Sequence, residues 1–241
     1  MIDPLRASCE QAAVVIPAHN EVRCLPKCLR AMRTAVLAAP IPVTTVVVLD
    51  SCDDGSADLA ARFGPDTHFV TVEAGNVGAA RAAGFAYARS LTKSTDGVWY
   101  ACTDADSRVD PDWLVRQLSA RADMVLGVVR VADWRQLAPK AITRYLRAYR
   151  GSRSGSGTQG HDHVHGANMG FRSEAYWRVG GFAPLPTGED VALVRRFEEH
   201  GYRIHRDAGL SVTTSARRDG RAPGGFADHL RDLSRETPDP A

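Results

Sequence analysis

A chain of 241 residues, 44% of them apolar, can bury a substantial core, and its length fits one large domain better than two. The formal net charge is +2 and the charged residues are spread along the chain, which removes the bulk electrostatic case for nucleic acid as a partner. Five cysteines with no CxxC pair and no zinc-ligand spacing argue against a disulfide framework and for a reducing, cytoplasmic setting. No apolar stretch of about 18 residues offers a membrane span, and residues 1–12 lack the apolar core of a signal peptide. A soluble protein is expected, with peripheral membrane contact left open.

Taken in order, Ala12 to Ile16 reads as a first strand. Val22 to Ala39 follows as a helix with apolar spacing at Leu25, Leu29, Met32 and Val36, closed by Pro40 and Pro42. Thr44 to Leu49 is a second strand, a short helix lies around Asp58 to Phe63, and His68 to Val72 is a third strand. Val77 to Leu91 is an Ala-rich helix, Val98 to Cys102 a fourth strand, and Pro111 opens the next helix. Met124 to Val131 is a β-rich run and Gln136 to Arg150 an amphipathic helix. Gly151 to Gly166, rich in Gly, Ser and His, reads as a mobile loop. A strand at Ala167 to Phe171, a helix from Glu174, a turn at Gly180 to Phe182, a helix at Asp190 to His200 and a strand near Leu210 to Thr214 complete the domain. The tail from Arg217 holds one further helix, Phe226 to Leu233. This alternation predicts an α/β fold, a single mostly parallel central sheet with helices on both faces, over residues 12–216. Residues 1–11 form an N-terminal extension and residues 217–241 a C-terminal segment that is partly disordered.

Polar motifs sit just after the strands, where an open parallel sheet gathers its ligand-binding groups. Asn20 and Glu21 follow the first strand, Asp50 the second, Asn76 the third, and Asp104 and Asp106 the fourth, so convergence on one rim is expected. The Asp104-x-Asp106 spacing lets one or both carboxylates hold a divalent cation against two phosphate oxygens, although such a triplet also serves as a helix cap or solvated turn. Asp50 can accept the imide N–H of a pyrimidine; the other reading is that Asp50, Asp53 and Asp54 merely shape a turn. Gly75 to Gly84 is neither GxGxxG nor GxxxxGK[ST], which disfavours a kinase or a classical NAD enzyme. Gly78 and Gly84 permit close approach there, and Arg81 can reach a base or a phosphate. For His161, His163 and His165, acceptor contact, metal support and solvent exposure stay open, the flanking glycines arguing against a structural zinc site. Arg217, Arg218 and Arg221 fit a diphosphate clamp or a solvated tail equally well.

Together these motifs resemble the family 2 glycosyltransferases, which transfer sugars from nucleoside diphosphate donors and have the GT-A fold. Pro17-Ala18-His19-Asn20-Glu21 looks like the family's opening PxxNE, and Asp50 matches the acid that contacts the donor base. Asn76, Gly78, Arg81 and Gly84 are similar to the NxGxxxARNxG segment, with Ala82 and Ala83 in place of the usual residues and the spacing shorter by two. His165-Gly166-Ala167-Asn168 and the residues to Arg172 look like the GANMAxRR strand that borders the acceptor pocket. Gly180-Gly181-Phe182 and Glu189-Asp190 match the GGF and ED elements.

The resemblance implies a Rossmann-like donor half at 12–110 and an acceptor half at 111–216. It implies Mg2+ or Mn2+ on Asp106 and Asp104, with Ala105 also lining the donor site, and a donor that is a UDP-sugar ahead of a GDP-sugar. Asp190, beside Glu189, is then the catalytic base of an inverting transfer to an acceptor that the motifs do not identify. Two departures stand out. The pair is not followed by QxxRW, which argues against a processive polysaccharide synthase, and Ser211 to Ser215 lacks the metal-binding His of many relatives, so His205, the loop histidines or water would complete the shell. A sugar-nucleotide nucleotidyltransferase and a non-catalytic nucleotide- or carbohydrate-binding domain rank below.

Overall fold

A computed structural model of the chain describes residues 9–92, 94, 96–131 and 161–215. The sequence-based helices at 136–150 and 226–233, residues 151–160 of the Gly-rich segment, and Arg217, Arg218 and Arg221 lie outside them. The strands are β1 (Gln11–Ala18), β2 (Val43–Asp50), β3 (Thr67–Val72), β4 (Val98–Cys102), β5 (Arg108–Val109), β6 (Met124–Val131), β7 (Met169–Arg172) and β8 (Ile204–Thr214). The helices are α1 (Leu25–Ala38), α2 (Val77–Ser90), α3 (Trp113–Ser119), α4 (Ser173–Arg178) and α5 (Glu189–Glu199), with a 3-10 helix at Ser56–Arg62.

All of these strands join one sheet in the order β3-β2-β1-β4-β7-β6-β8-β5. The block from β3 to β4 is parallel, β7 enters antiparallel between β4 and β6, and β8 runs parallel to β6. Strands buried on both faces must be apolar nearly throughout, which is why Val14, Val15, Ile16, Val46, Val47 and Val48 have no alternating polar partner. On one face, α1 contributes Leu25, Leu29 and Met32 and α3 contributes Trp113 and Leu114. On the other, Phe85 of α2, Tyr176 of α4 and Phe197 of α5 pack with Tyr100 and Phe171 of the sheet. Gly84 brings α2 down onto β1 and β2, since a Cβ there would run into the side chains of Val15 and Val48.

Within the described residues the expected elements are present with shifted ends. Pro17 belongs to β1, paired with Val48 beyond the last β1–β4 pair at Val15, so its missing N–H interrupts no ladder bond to β4. Pro111 precedes the helix it was expected to open: Asp112 is the cap and α3 starts at Trp113. Two strand segments are new, β5 and the first half of β8. The polar stretch Ile204 to Gly209 becomes strand because β6 offers a ladder, and a bulge between Leu126 and Val128 absorbs the extra residues. There Asp207 accepts the N–H groups of Gly209 and Leu210 and is clamped by Arg116 at 2.7 Å. Among the described residues, no helix is long and apolar enough to cross a membrane.

Candidate active site

The carboxyl ends of β1, β2 and β4 share one rim, and the loops that leave them are tied to one another. Asn20 and Ser51 both take a left-handed backbone, with φ of 54° and 52°. Asn20 Oδ1 accepts the N–H of Asp53 at 2.9 Å, and Asp54 Oδ2 accepts that of Val22 at 2.8 Å. Asp54 thus shapes the turn. Asp50 is buried, and its Oδ1 accepts the Ala74 and Gly75 N–H groups at 2.8 and 3.0 Å and the Ser51 hydroxyl at 3.1 Å. His19 Nδ1 lies 2.7 Å from the Asp50 carbonyl. Glu21 is buried at the start of the first loop, where its carbonyl accepts the N–H of Leu25. Asn76 caps α2 through Oδ1 to the Ala79 N–H at 2.8 Å, and Gly78 lets the 183–185 backbone pack against that helix start.

Arg81 on α2 is the hub. Its side chain is 3% exposed, and it donates one Nη to Asp104 Oδ1 at 2.7 Å and the other to Glu189 Oε1. Its guanidinium lies over the ring of Phe182, 5.6 Å from the centroid, in the Gly180-Gly181-Phe182 turn. Burial opposes the charge on Arg81, but Asp104, Glu189 and Asp190 outweigh it and keep the group ionised. Loss of hydration raises the Asp104 carboxyl above its ordinary range, Arg81 working against the shift and Asp106 and Asp190 adding to it. Burial likewise raises Glu189, again against Arg81 and with Asp190 and Asp104. Asp104 therefore feels the charges of Asp106 and Asp190, and Glu189 those of Asp190 and Asp104.

Within the pair at the start of α5, the two side chains differ. Glu189 is 6% exposed and is spent on Arg81. Asp190 is partly exposed and accepts one backbone N–H on each oxygen, from Gly166 at 2.8 Å and from Val191 at 2.7 Å. Gly166 is fixed from three sides: its N–H meets Asp190, its carbonyl accepts the Cys102 thiol at 3.1 Å, and a Cβ on it would collide with the Arg81 guanidinium. Asp106 accepts from Ser215 Oγ at 2.8 Å and Thr214 Oγ1 at 3.3 Å, at the end of β8. Ala105 between the two acids is buried.

Next to the buried Ala167, Asn168 serves the sheet itself. It is fully buried, donates to the carbonyls of Val128 and Leu210 at 2.9 and 3.0 Å, and accepts from Trp113 Nε1 at 2.8 Å. Its side chain therefore ties β6, β8 and α3 together. Cys102, Thr214 and Ser215 touch the site residues and were not picked out by sequence reasoning. The one local signal was Gly127 inside an apolar strand, which marks the close approach of Asn168.

His161, His163 and His165 form a ladder, with ring centroids 5.8 and 5.7 Å apart. His161 is buried and its Nε2 faces the Leu126 carbonyl at 3.1 Å, which fixes Nε2–H as the donor of the neutral ring. Burial lowers its pKa, with His163 and Arg206 adding to the shift. An unfolded chain then takes up this proton first, so stability should fall as pH drops below about 6.5. Urea midpoints between about pH 7.5 and 5.5 should decline less in His161→Gln than in the wild type; equal declines would contradict this. Among the described residues, no three of His, Cys, Asp and Glu are grouped as a ready-made metal site. All five cysteines are free thiols, and burial pushes those of Cys28 and Cys102 up.

Comparison with curated proteins gives no sequence match. Solved structures match in fold. S. aureus TarS 1-349 in complex with UDP-GlcNAc has a TM-score of 0.61 at 12% identity, over 92% of this chain and 64% of that one. This chain therefore spans less than two thirds of that protein. The mannosyltransferase PcManGT from Pyrobaculum calidifontis, in complex with GDP-Man and Mn2+, has a TM-score of 0.57 at 18% identity, over 92% of this chain and 68% of that one. At such identities the likeness speaks for the fold, in agreement with the GT-A architecture expected from the motifs. The model of the family described as Glycosyl transferase family 2 matches residues 13–180, well over half the length, and on that match the chain belongs to glycosyl transferase family 2.

Proposed function

We propose that this family 2 glycosyltransferase moves a sugar from a nucleoside diphosphate sugar to an acceptor hydroxyl, with inversion, one sugar at a time, assisted by Mg2+ or Mn2+. The observation that carries the reading is the hub at Arg81. One buried cation holds Asp104, from the end of the donor-side strand β4, and Glu189, from the start of α5, 108 residues beyond Arg81 in sequence. Asp190, the accessible neighbour of Glu189, thereby comes within reach of Asp104's charge, which supports a role beside the Asp104-x-Asp106 pair. Structural neighbours bound to UDP-GlcNAc and to GDP-Man with Mn2+ support the donor class.

The donor set fits a hard cation. Asp104 and Asp106 offer carboxylate oxygens two residues apart in one loop, where the charges of Asp106 and Asp190 reach Asp104. Asp104 has one oxygen on Arg81, so the pair supplies few ligands, as suits Mg2+ or Mn2+ completed by water and substrate phosphates. A bound cation would neutralise the charge that develops on the diphosphate leaving group. Asp50 accepts a base N–H at the far end of the donor. Asp190 takes the acceptor proton on a carboxylate oxygen as the hydroxyl attacks, while backbone N–H groups of Gly166 and Val191 hold it in place. Arg81 and Glu189 act as positioning residues. In Asp106→Ala, Mn2+ should no longer tighten UDP binding in a calorimetric titration, whereas metal-free binding should persist; an unchanged Mn2+ effect would reject the role of Asp106.

A further inference from the structure

We infer that the outer face of α1 docks on an anionic lipid surface. The helix buries Leu25, Cys28, Leu29, Met32 and Ala35 against the sheet. Opposite them, Lys27, Arg30, Thr34 and Leu37 follow one another in steps of three and four residues and form an exposed stripe about 15 Å long. Arg23, in the turn that enters the helix, and Arg33, on its flank, are exposed as well and widen the stripe. The helix contains no acid.

Two observations set this charge apart from ordinary solvated cations. On α5, Arg195 pairs with Glu199, and on α3, Arg116 pairs with Asp207. Among the described residues, none of Arg23, Lys27, Arg30 and Arg33 enters an ion pair. The placement also runs against the helix dipole, which favours acids in the first turn and cations in the last, whereas α1 has Lys27 near its start and no basic residue in its last turn. Stability of the helix therefore does not account for the stripe. At its far end, Leu37 is 80% exposed. A bilayer rich in acidic lipids rewards both features, because each cation near its surface strengthens binding about five-fold and an aliphatic side chain enters the acyl boundary. A nucleic acid or an acidic polysaccharide would leave Leu37 in water. On the inner face, the Cys28 thiol donates to the Asp104 carbonyl at 3.5 Å, so a bilayer on the outer face lies one helix diameter, about 10–12 Å, from the acid loop.

Cosedimentation of the full chain with vesicles tests this, and it needs no sugar donor, so its outcome is separate from that of the transfer reaction proposed above. The protein should partition onto equimolar phosphatidylcholine–phosphatidylserine vesicles and not onto phosphatidylcholine alone, and added salt should release it. Lys27→Glu/Arg30→Glu should weaken the partition about 25-fold or more. Its urea midpoint should not fall, because an acid in the first turn suits the dipole, and lost binding is then not lost folding. Leu37→Gln, a second variant at unchanged charge, should weaken the partition several-fold. Partition indifferent to phosphatidylserine would overturn the inference, as would either variant binding like the wild type. Retention on heparin-agarose without partition onto either vesicle would also overturn it, assigning the stripe to a soluble polyanion.

Discussion

Asp190→Asn is expected to lower sugar transfer by about 10²–10⁴-fold, the usual worth of a positioned general base, while UDP binding stays near the wild-type value. The two side chains are the same size, and Asn still accepts one of the two backbone N–H groups that Asp190 accepts from Gly166 and Val191. What is lost is the ability to take a proton. Because that transfer occurs only in the transition state, the loss should appear in kcat rather than in the affinity for the donor nucleotide. Initial rates with a UDP-sugar, set beside calorimetric titration with UDP, separate the two. Turnover close to wild type would remove Asp190 from the mechanism.

Arg81→Met should have the largest effect on stability, about 3–5 kcal/mol, because it strips the partner from a buried acid. Glu189, at 6% exposed, would be left charged without its counter-ion, whereas Asp104, at 38%, can turn to water. The double variant Arg81→Met/Glu189→Met should recover most of that loss, since removing a buried ion pair whole is close to neutral. It should not recover transfer, for Asp104 and α5 would no longer be held to one another. Urea denaturation and transfer assays on the three proteins check both halves. A double variant as unstable as the single one would mean that packing of the Arg81 stem, rather than its charge, matters.

Features fixed by short runs of residues were legible in the sequence. β6 falls at Met124–Val131 as expected from its β-rich run, and Asn76 before the Ala-rich stretch is the α2 cap that an Asn in that position favours. The carboxylates expected at the strand ends are there, because a parallel block places successive carboxyl ends on one rim. What stayed hidden depends on partners far along the chain. Nothing in Ile204 to Gly209 marks a strand until β6 lies beside it, and Arg108–Val109 is strand only through Val212 and Thr213. The same holds for single side chains. Asn168 sits in a motif that borders an acceptor pocket by resemblance, yet in the structure three distant groups use up its amide. Glu189 and Asp190 are adjacent in sequence, and only the packing of α5 against α2 decides which is buried and which is open.

The place of β7, between β4 and β6, bears on how the protein must be made. As the nascent chain leaves the ribosome, the parallel block is complete once Cys102 has emerged, but the outer flank of β4 has no neighbour until Met169 to Arg172 follow. Throughout that interval a row of unpaired backbone groups is presented to other chains, the template from which edge-to-edge aggregates grow. Fragments that stop short of residue 168, such as residues 12–110 alone, should therefore precipitate or require a chaperone.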